Sequence, residues 1–336
     1  MIGEAELVAG VLWLSLTAYA VLAGADFGGG VWDLFASGPR ATAQRAAVAE
    51  AMGPVWEANH VWLIFMIVGL FTAFPVTFGV LGLALYFPFS IALFGIVFRG
   101  ASFAFRAHGS SAVGPLSPWG VVFGVASVVT PIFLGTAAAA VASGSIRAPH
   151  GRLSSGFLDG WTSPLGVVIG LFALSMCAYL AAAYLMVENE HRPELLADFR
   201  RRAIAAAVVS GVLALIALPI AAVEGPRLLH SLTGRGLPLF VLALLNGPLA
   251  LWAVWRSRPR IARGAVIAQV VLVLWAWAVG QWPYLVPPDL TISATAAPPE
   301  SLTAFLFVTA AGGLLLIPSL WLLFRVFKAR SPQAEV

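Results

Sequence analysis

The sequence predicts an all-α membrane protein that crosses the bilayer many times, and three observations support this prediction. Of its 336 residues, 60% are hydrophobic and only 10% are charged. A soluble domain usually carries about 25% charged residues, so this chain has too few to cover a water-facing surface. Long apolar runs recur along the chain, and basic residues concentrate in alternate connections between them. This composition excludes soluble, disordered and disulfide-stapled secreted proteins.

Nine apolar runs are long enough to cross the hydrocarbon layer, which requires about 20 helical residues. In order, they cover residues 6–34, 54–74, 78–98, 118–142, 160–187, 203–223, 236–255, 261–282 and 303–327. Glu4 precedes the first run and Glu6 begins it, and there is no Lys or Arg before or within this run. A signal peptide has a positively charged start and a shorter apolar region, so we interpret this run as a retained helix.

Short segments with proline, glycine or arginine lie between the runs and justify these limits. Phe74-Pro75 ends the second run, Arg99 follows the third, and a Gly-Ser-Ser segment at 109–111 lies before the fourth. Arg192-Pro193 separates the fifth and sixth runs, and an Arg-Pro-Arg segment at 258–260 separates the seventh and eighth. The proline-rich segment 283–302 precedes the last run, and proline stops helices. We expect that segment to be extended.

The basic residues predict the orientation of the chain. If all nine runs cross the membrane, the connections after the first, third, fifth and seventh runs share one side with the C-terminal tail. That side carries 15 of the 19 Lys and Arg residues; the opposite side carries Arg147, Arg152, Arg227 and Arg235. Because basic residues are enriched in cytoplasmic loops, we expect the N-terminus outside and the C-terminus in the cytoplasm.

Two carboxylates in the apolar runs are candidates for function. Asp26 lies about 20 residues into the first run, and Glu57 lies at the start of the second, beside Asn59 and His60. Since the first run passes inward and the second returns, both carboxylates are expected near the cytoplasmic face. An ionisable group within a span is costly unless it is paired or hydrated, so each is a functional candidate.

From the residues alone, two interpretations of these carboxylates stay open. A carboxyl group shielded from water can exchange protons near neutral pH, so Asp26 and Glu57 could take up protons from the cytoplasm. Alternatively, they pair with Arg99 or Arg106, which the same topology places on the cytoplasmic side, and fix the helices. The two interpretations are compatible, because a proton path can end in an ion pair.

Ligands for metals and haem are sparse in this chain. The histidines are His60, His108, His150, His191 and His230, and only His60 falls within a predicted span. Cys177 is the single cysteine, which excludes an intramolecular disulfide and a four-cysteine metal site. Haem held between helices needs axial ligands, so we expect neither haem nor metal to be bound by this chain alone. No basic run is interleaved with aromatic residues, and we expect no nucleic-acid partner.

Four motifs resemble subunit II of cytochrome bd-type quinol oxidases. They are GADFG at 24–28, GPVWEANHVWLI at 53–64, FRGASFAFR at 98–106 and WPYLVP at 282–287. The motifs occur in the family's order along the chain, and the second is specific. The resemblance implies nine helices: the first four runs form one four-helix bundle, the next four form a second, and the run at 303–327 is a peripheral helix.

The resemblance also implies an activity. Such subunits form a heterodimer with a haem-bearing subunit I, which carries haem b together with haem d or a third haem b. The complex oxidises quinol and reduces O2 to water in the bacterial cytoplasmic membrane. Subunit II carries no haem and no catalytic residue; it supports assembly and forms part of a cytoplasmic proton path. Whether a small third subunit, a quinone or a lipid also binds stays open.

Individual positions carry over from these motifs. Asp26 and Glu57 match acidic positions of the family, Asn59 matches a motif partner, and Arg99 and Arg106 match basic positions. The implied proton pathway comprises these two carboxylates with Asn59 and the adjacent histidine, and the two arginines are the implied ion-pair partners.

Three further positions refine this expectation. Trp56 lies in the region that contacts a quinone in some members. Many relatives carry an acidic residue where this chain has Ala23, and a glutamine or glutamate where it has His60. We therefore expect His60 to supply the missing titratable group.

Two other functions use the same features. A proton-coupled secondary transporter also needs membrane carboxylates, glycine-broken helices and a positive-inside bundle; it would be active as a single chain. A purely structural partner, whose carboxylates are only ion-paired, would differ from the oxidase subunit in kinetics alone.

Overall fold

A computed structural model describes residues 3–52, 56–108 and 117–328, which are almost entirely helical. The helices are α1 (Glu4–Leu34), α2 (Ala41–Met52), α3 (Trp56–Ala73), α4 (Pro75–Ala84), α5 (Tyr86–His108), α6 (Pro118–Ser143), α7 (Pro164–Glu188), α8 (Pro193–Glu224), α9 (Pro226–Thr233), α10 (Leu237–Trp255), α11 (Pro259–Gln281), α12 (Ile292–Thr295) and α13 (Pro299–Lys328). A two-stranded antiparallel hairpin, β1 (Tyr284–Val286) and β2 (Leu290–Thr291), interrupts the all-α pattern before α12.

The structure confirms the predicted class, a mostly helical protein with several helices that could cross a membrane. Within the described residues, eight helices are each long and apolar enough to cross a membrane: α1, α5, α6, α7, α8, α10, α11 and α13. A ninth crossing results if α3 and α4 count as one span, but these helices are bent by 120° at Phe74. Pro75 opens α4 and has no N–H to continue the hydrogen bonds of α3, which explains the bend.

The region predicted as a third span, 78–98, is divided in the structure. It begins inside α4 and ends inside α5, and the two helices are separated at Leu85. Leu85 closes α4 with a backbone conformation outside the helical range (φ −110°, ψ 20°) and is buried. Hydropathy did not indicate this break because Leu85 is as apolar as its neighbours. The candidate span runs from Tyr86 to Phe105.

The core of the molecule is built around α7. Its residues Ala182 and Ala183 are fully buried and join a hydrophobic cluster with side chains of α1, α2, α8, α10 and α11. Small residues let helices approach closely in a membrane, where there is little hydrophobic force between them. One close approach is at Gly28 of α1, where a Cβ would overlap the Cys177 carbonyl of α7.

Contacts between connections divide the described loops into two ends. At one end, which we call the arginine-rich end, the α2, α7–α8 and α10–α11 regions meet through Arg192–Glu50 and Arg260–Glu190 ion pairs, each at 3.4 Å. At the opposite end, the start of α1 meets the start of α13 through a hydrogen bond from Thr303.

Among its described side chains, the last helix, α13, contacts the rest of the molecule mainly through its first turns. Leu302 is buried against α1, and the ring of Phe305 lies 5.7 Å from that of Phe65 in α3. Beyond this contact, large side chains such as Phe307 and Leu314 are about three-quarters exposed. In a membrane these side chains face lipid or a partner protein.

Candidate functional site

A buried ion pair joins the first helix to the fifth. Asp26 in α1 and Arg99 in α5 are each only 3% exposed. Arg99 Nη1 donates to Asp26 Oδ2 at 2.6 Å, and Nη2 donates to Oδ1. Nη2 also donates to the backbone carbonyl of Asp26 at 3.1 Å. Paired, bidentate hydrogen bonds of this kind are among the strongest that proteins make.

A third helix completes the surroundings of Arg99. Its Nε donates to Ser127 Oγ in α6 at 3.0 Å, and the Ser127 hydroxyl donates in turn to the Phe123 carbonyl at 2.7 Å. The guanidinium carbon also lies 4.8 Å from the ring centre of Phe123 and 5.1 Å from that of Phe27. Aromatic faces attract a cation, and more strongly when it is shielded from water.

Glycine makes room for this arrangement. Gly30 lies one turn beyond Asp26 in α1, and a Cβ at this position would overlap the Ser127 hydroxyl. The glycine-rich stretch of α1 therefore lets α6 approach until Ser127 can reach Arg99. The site holds one positive and one negative charge, linked across three helices and separated from solvent.

Asn59 and His60 lie on α3 beside the same part of α1. Asn59 is buried and its Nδ2 donates to the carbonyl of Leu22, one turn before Asp26. The imidazole of His60 lies edge-on to the ring of Tyr19, with 6.4 Å between ring centres. The structure thus brings Asn59 and His60 to the helix that carries Asp26.

Three other predicted site residues lie outside the described side chains. Glu57 and Trp56 belong to the first turn of α3, and Arg106 to the last turn of α5; only their backbone is described. The expectations attached to them, as proton carrier, quinone contact and ion-pair partner, stay predictions.

Two further residues of α1 share a face with Asp26 and were missed by the sequence reasoning. Tyr19 precedes Asp26 by seven residues and Asp33 follows it by seven, which is about two helical turns in each direction. Both are buried, Asp33 to 1% exposure. The Tyr19 hydroxyl has no hydrogen-bond partner among the described residues. The seven-residue spacing was the available signal, but Asp33 lies at the predicted end of a span, where a charge is unremarkable.

Metal ligands are not grouped in the part of the chain that the structure describes. There, no three His, Cys, Asp or Glu side chains are grouped to hold a metal ion. His150 lies in a short 3-10 turn, His191 between α7 and α8, and His230 in α9. Among the histidines with described side chains, only His60 lies within a span candidate, the bent α3–α4 pair.

Comparison with known proteins gives one family. The sequence profile of the family described as cytochrome bd terminal oxidase subunit II matches residues 5–327. A solved structure of bd oxidase from Geobacillus thermodenitrificans superposes with a TM-score of 0.76 at 24% sequence identity. It covers 98% of this chain and 99% of that chain. At this identity the superposition establishes the fold.

Individual relatives agree with the profile. A Bacillus subtilis (strain 168) protein, provisionally named cytochrome bd menaquinol oxidase subunit II, is 22% identical over 96% of this chain and 95% of its own length. Cytochrome bd ubiquinol oxidase subunit 2 of the same organism is 33% identical over 37% of each chain. Cytochrome bd-I ubiquinol oxidase subunit 2 of Escherichia coli (strain K12) is 25% identical over 65% of this chain and 55% of its own.

Proposed function

Because the chain belongs to the cytochrome bd terminal oxidase subunit II family, we propose that it is the non-haem subunit of an oxidase that transfers electrons from quinol to O2. The observation that supports this best is the profile match, which extends from the first helix to the last. Haem b, with haem d or a third haem b, would reside in subunit I and supply the electron transfer. The relatives named above are oxidase subunits, which disfavours the transporter alternative.

In this proposal the chain lies in the bacterial cytoplasmic membrane and crosses it nine times. The bent α3–α4 pair then counts as one crossing, and α13 is the peripheral helix beside two four-helix bundles. The arginine-rich end faces the cytoplasm, because basic residues are enriched on that side. The ion pairs that link α2, α7–α8 and α10–α11 support a shared side for these connections.

We further propose that protons enter the oxidase along α1 and α3. Glu57 at the start of α3 would receive protons at the cytoplasmic face, with Asn59 and His60 carrying the path toward Asp26. Arg99 would hold the Asp26 carboxylate in place through its paired hydrogen bonds. Support comes from the burial of Asn59 and Asp26 and from the hydrogen bond that ties Asn59 to α1.

Two other assignments belong to the same proposal. Arg106 is the second ion-pair partner at the cytoplasmic face, and Trp56 is the quinone contact. Both follow from the family motifs and from the position of these residues in the first turn of α3 and the last turn of α5.

The proton path is tested by Glu57→Gln in the purified complex with its haem-bearing partner. We expect quinol-driven O2 uptake to slow while the reduced-minus-oxidised haem spectrum is unchanged. Glu194→Gln is the matched control, since this carboxylate is exposed at the arginine-rich end. Unchanged turnover would remove Glu57 from the path, and lost haem would assign it to assembly instead.

His60 has a test of its own. His60→Gln restores the side chain that many relatives carry, so the fold should tolerate it. If His60 supplies the missing titratable group, the pH profile of O2 uptake changes. An unaltered profile would show that His60 does not carry protons.

A further inference from the structure

An open cavity lies at the arginine-rich end, between the α1–α2 connection and the start of α8. Its volume is about 390 Å³, and its lining includes Arg40, Arg201 and Arg202 together with Asp198 and Gln44. None of these residues belongs to the proposed proton path. The cavity is therefore a separate feature that needs its own explanation.

The cavity wall is held in place by hydrogen bonds. The buried carboxylate of Asp198 accepts two bonds from Arg40 at 2.8 Å, one from Arg201 at 2.7 Å and one from Gln44 at 2.9 Å. The guanidinium groups are thus fixed before any ligand arrives, which lowers the entropic cost of binding.

Arg202 is fixed by a second set of contacts. It donates to Gln44 Oε1 and to the Trp32 carbonyl, and its guanidinium carbon lies 5.3 Å from the centre of the Trp32 ring. These contacts connect the end of α1 to α8. They hold the third positive charge against the cavity instead of leaving it on a mobile side chain.

The cavity carries an excess of positive charge. Three arginines and one acidic residue, Asp198, line it. Glu194 lies 3.6 Å from Arg40, but its side chain is 77% exposed and its charge is therefore strongly screened by water and salt. Arg201 is 73% exposed and uses one Nη on Asp198, so most of its guanidinium is accessible to an anion.

An apolar surface begins where the cavity ends. Along α8, Val208, Val212 and Leu215 lie on the same helix face as Arg201, at spacings of seven, four and three residues, and each is about half to two-thirds exposed. This row, which we call the α8 stripe, extends roughly 21 Å from Arg201 at 1.5 Å per residue. That length is comparable to most of one bilayer leaflet plus its headgroup layer.

From the charged cavity and the adjoining α8 stripe we infer a binding site for an anionic phospholipid. The phosphate of the headgroup occupies the cavity against Arg40, Arg201 and Arg202, and an acyl chain lies along the α8 stripe. Basic pockets at the cytoplasmic side of membrane helices suit such headgroups. A soluble phosphate would use the cavity but not the stripe.

The test uses the complete oxidase complex, washed in mild detergent and then incubated with phosphatidylglycerol or phosphatidylcholine. Native mass spectrometry counts the lipid retained. We expect phosphatidylglycerol to be retained in preference to phosphatidylcholine, and Arg201→Gln to lower its affinity about fivefold. Arg260→Gln is the matched control, an exposed arginine at the same end that also forms one ion pair. Its lipid retention should equal that of the wild type.

A second variant separates a lipid from a free phosphate. Leu215→Ser removes apolar surface from the α8 stripe and should weaken phosphatidylglycerol binding without changing the affinity of the cavity for inorganic phosphate. Equal retention of the two lipids, or no effect of Arg201→Gln in a complex with normal thermal stability, would overturn the inference. The inference would also be overturned if inorganic phosphate bound as tightly as the lipid. The same holds if the partner subunit covers Leu215, so that this side chain is not open to lipid in the complex. Oxidase turnover in detergent is measured separately, so failure of the lipid site is distinguishable from failure of the proposed function.

Discussion

Asp26 and Arg99 illustrate how a charge is tolerated at a single position inside a membrane helix. Both are shielded from bulk water, since each is 3% exposed. Each instead depends on the other, with Ser127 and two aromatic rings completing the shell. A buried pair of this kind contributes little net stability, whereas breaking it is costly because the remaining charge has no partner.

Asp26→Asn should therefore destabilise the complex by about 3–5 kcal/mol, the usual cost of an unpaired buried charge. Thermal unfolding of the purified complex measures this effect. The double variant Asp26→Leu with Arg99→Met removes both charges and should recover much of the stability. If turnover also recovers, the pair is structural only; if turnover stays low while the protein is stable, the charge itself serves proton transfer.

At the level of elements, glycine decides how closely α1 packs against its neighbours. Gly28 and Gly30 face α7 and α6, where any side chain would overlap the Cys177 carbonyl or the Ser127 hydroxyl. Gly10 lies in the same helix with open space around it. The sequence shows all three as similar glycines, and only the packing distinguishes them.

Gly28→Ala should push α1 away from α7, because the obstacle is backbone and cannot rotate aside. Overpacking of this kind costs about 1–3 kcal/mol. Gly10→Ala in the same helix should be neutral or slightly stabilising, since alanine has the better helix propensity. Melting temperatures of the two variants check the prediction, and equal values would show that the α1–α7 contact is looser than described.

The hairpin before α12 has its own anchor at the end opposite the arginine-rich end. Arg147 donates to Asp289 at 2.9 Å, and the Ala148 N–H donates to the same carboxylate at 2.8 Å. The hydrogen bond from Arg147, followed by that from Ala148, lowers the pKa of Asp289 below its ordinary value. The carboxylate form is thus favoured in the folded hairpin.

This lowered pKa predicts a pH dependence. The stabilisation is fully present above the ordinary carboxyl pKa of about 3.9 and is lost as the pH falls through the lowered value. At neutral pH, Asp289→Asn should speed hydrogen exchange in residues 284–291. The difference between variant and wild type should shrink as the pH falls below about 4. A constant difference at all pH values would contradict the assignment.

At the scale of the whole molecule, the helical membrane class was predictable because it follows from composition and run length. For Asp26, the sequence left two alternatives open, proton uptake and an ion pair with Arg99 or Arg106. Topology shows which charged residues lie on the same side of the membrane, but not which of them form a contact. The break at Leu85, the α2 and α9 helices and the Tyr19–Asp33 face were not predicted. They depend on local backbone geometry and packing, to which a hydropathy window is insensitive.

The proposed orientation can be checked with a single label, because Cys177 is the only cysteine. In a Cys177→Ser background, a membrane-impermeant maleimide should label Ser154→Cys in intact cells. Ala43→Cys in α2 should react only after the cells are permeabilised. Both original side chains are exposed, so a difference reports sidedness; the reverse pattern would place the arginine-rich end outside.

The attachment of α13 has a consequence for biosynthesis. This helix leaves the ribosome after every other described helix, yet it packs against α1 and α3, two of the earliest. The seam, which is the surface of α1 and α3 that Leu302 and Phe305 of α13 cover, therefore stays open while the second half of the chain is made and inserted. A chain that stops short of α13 would display that seam to the insertion and quality-control machinery, and a complete one would cover it.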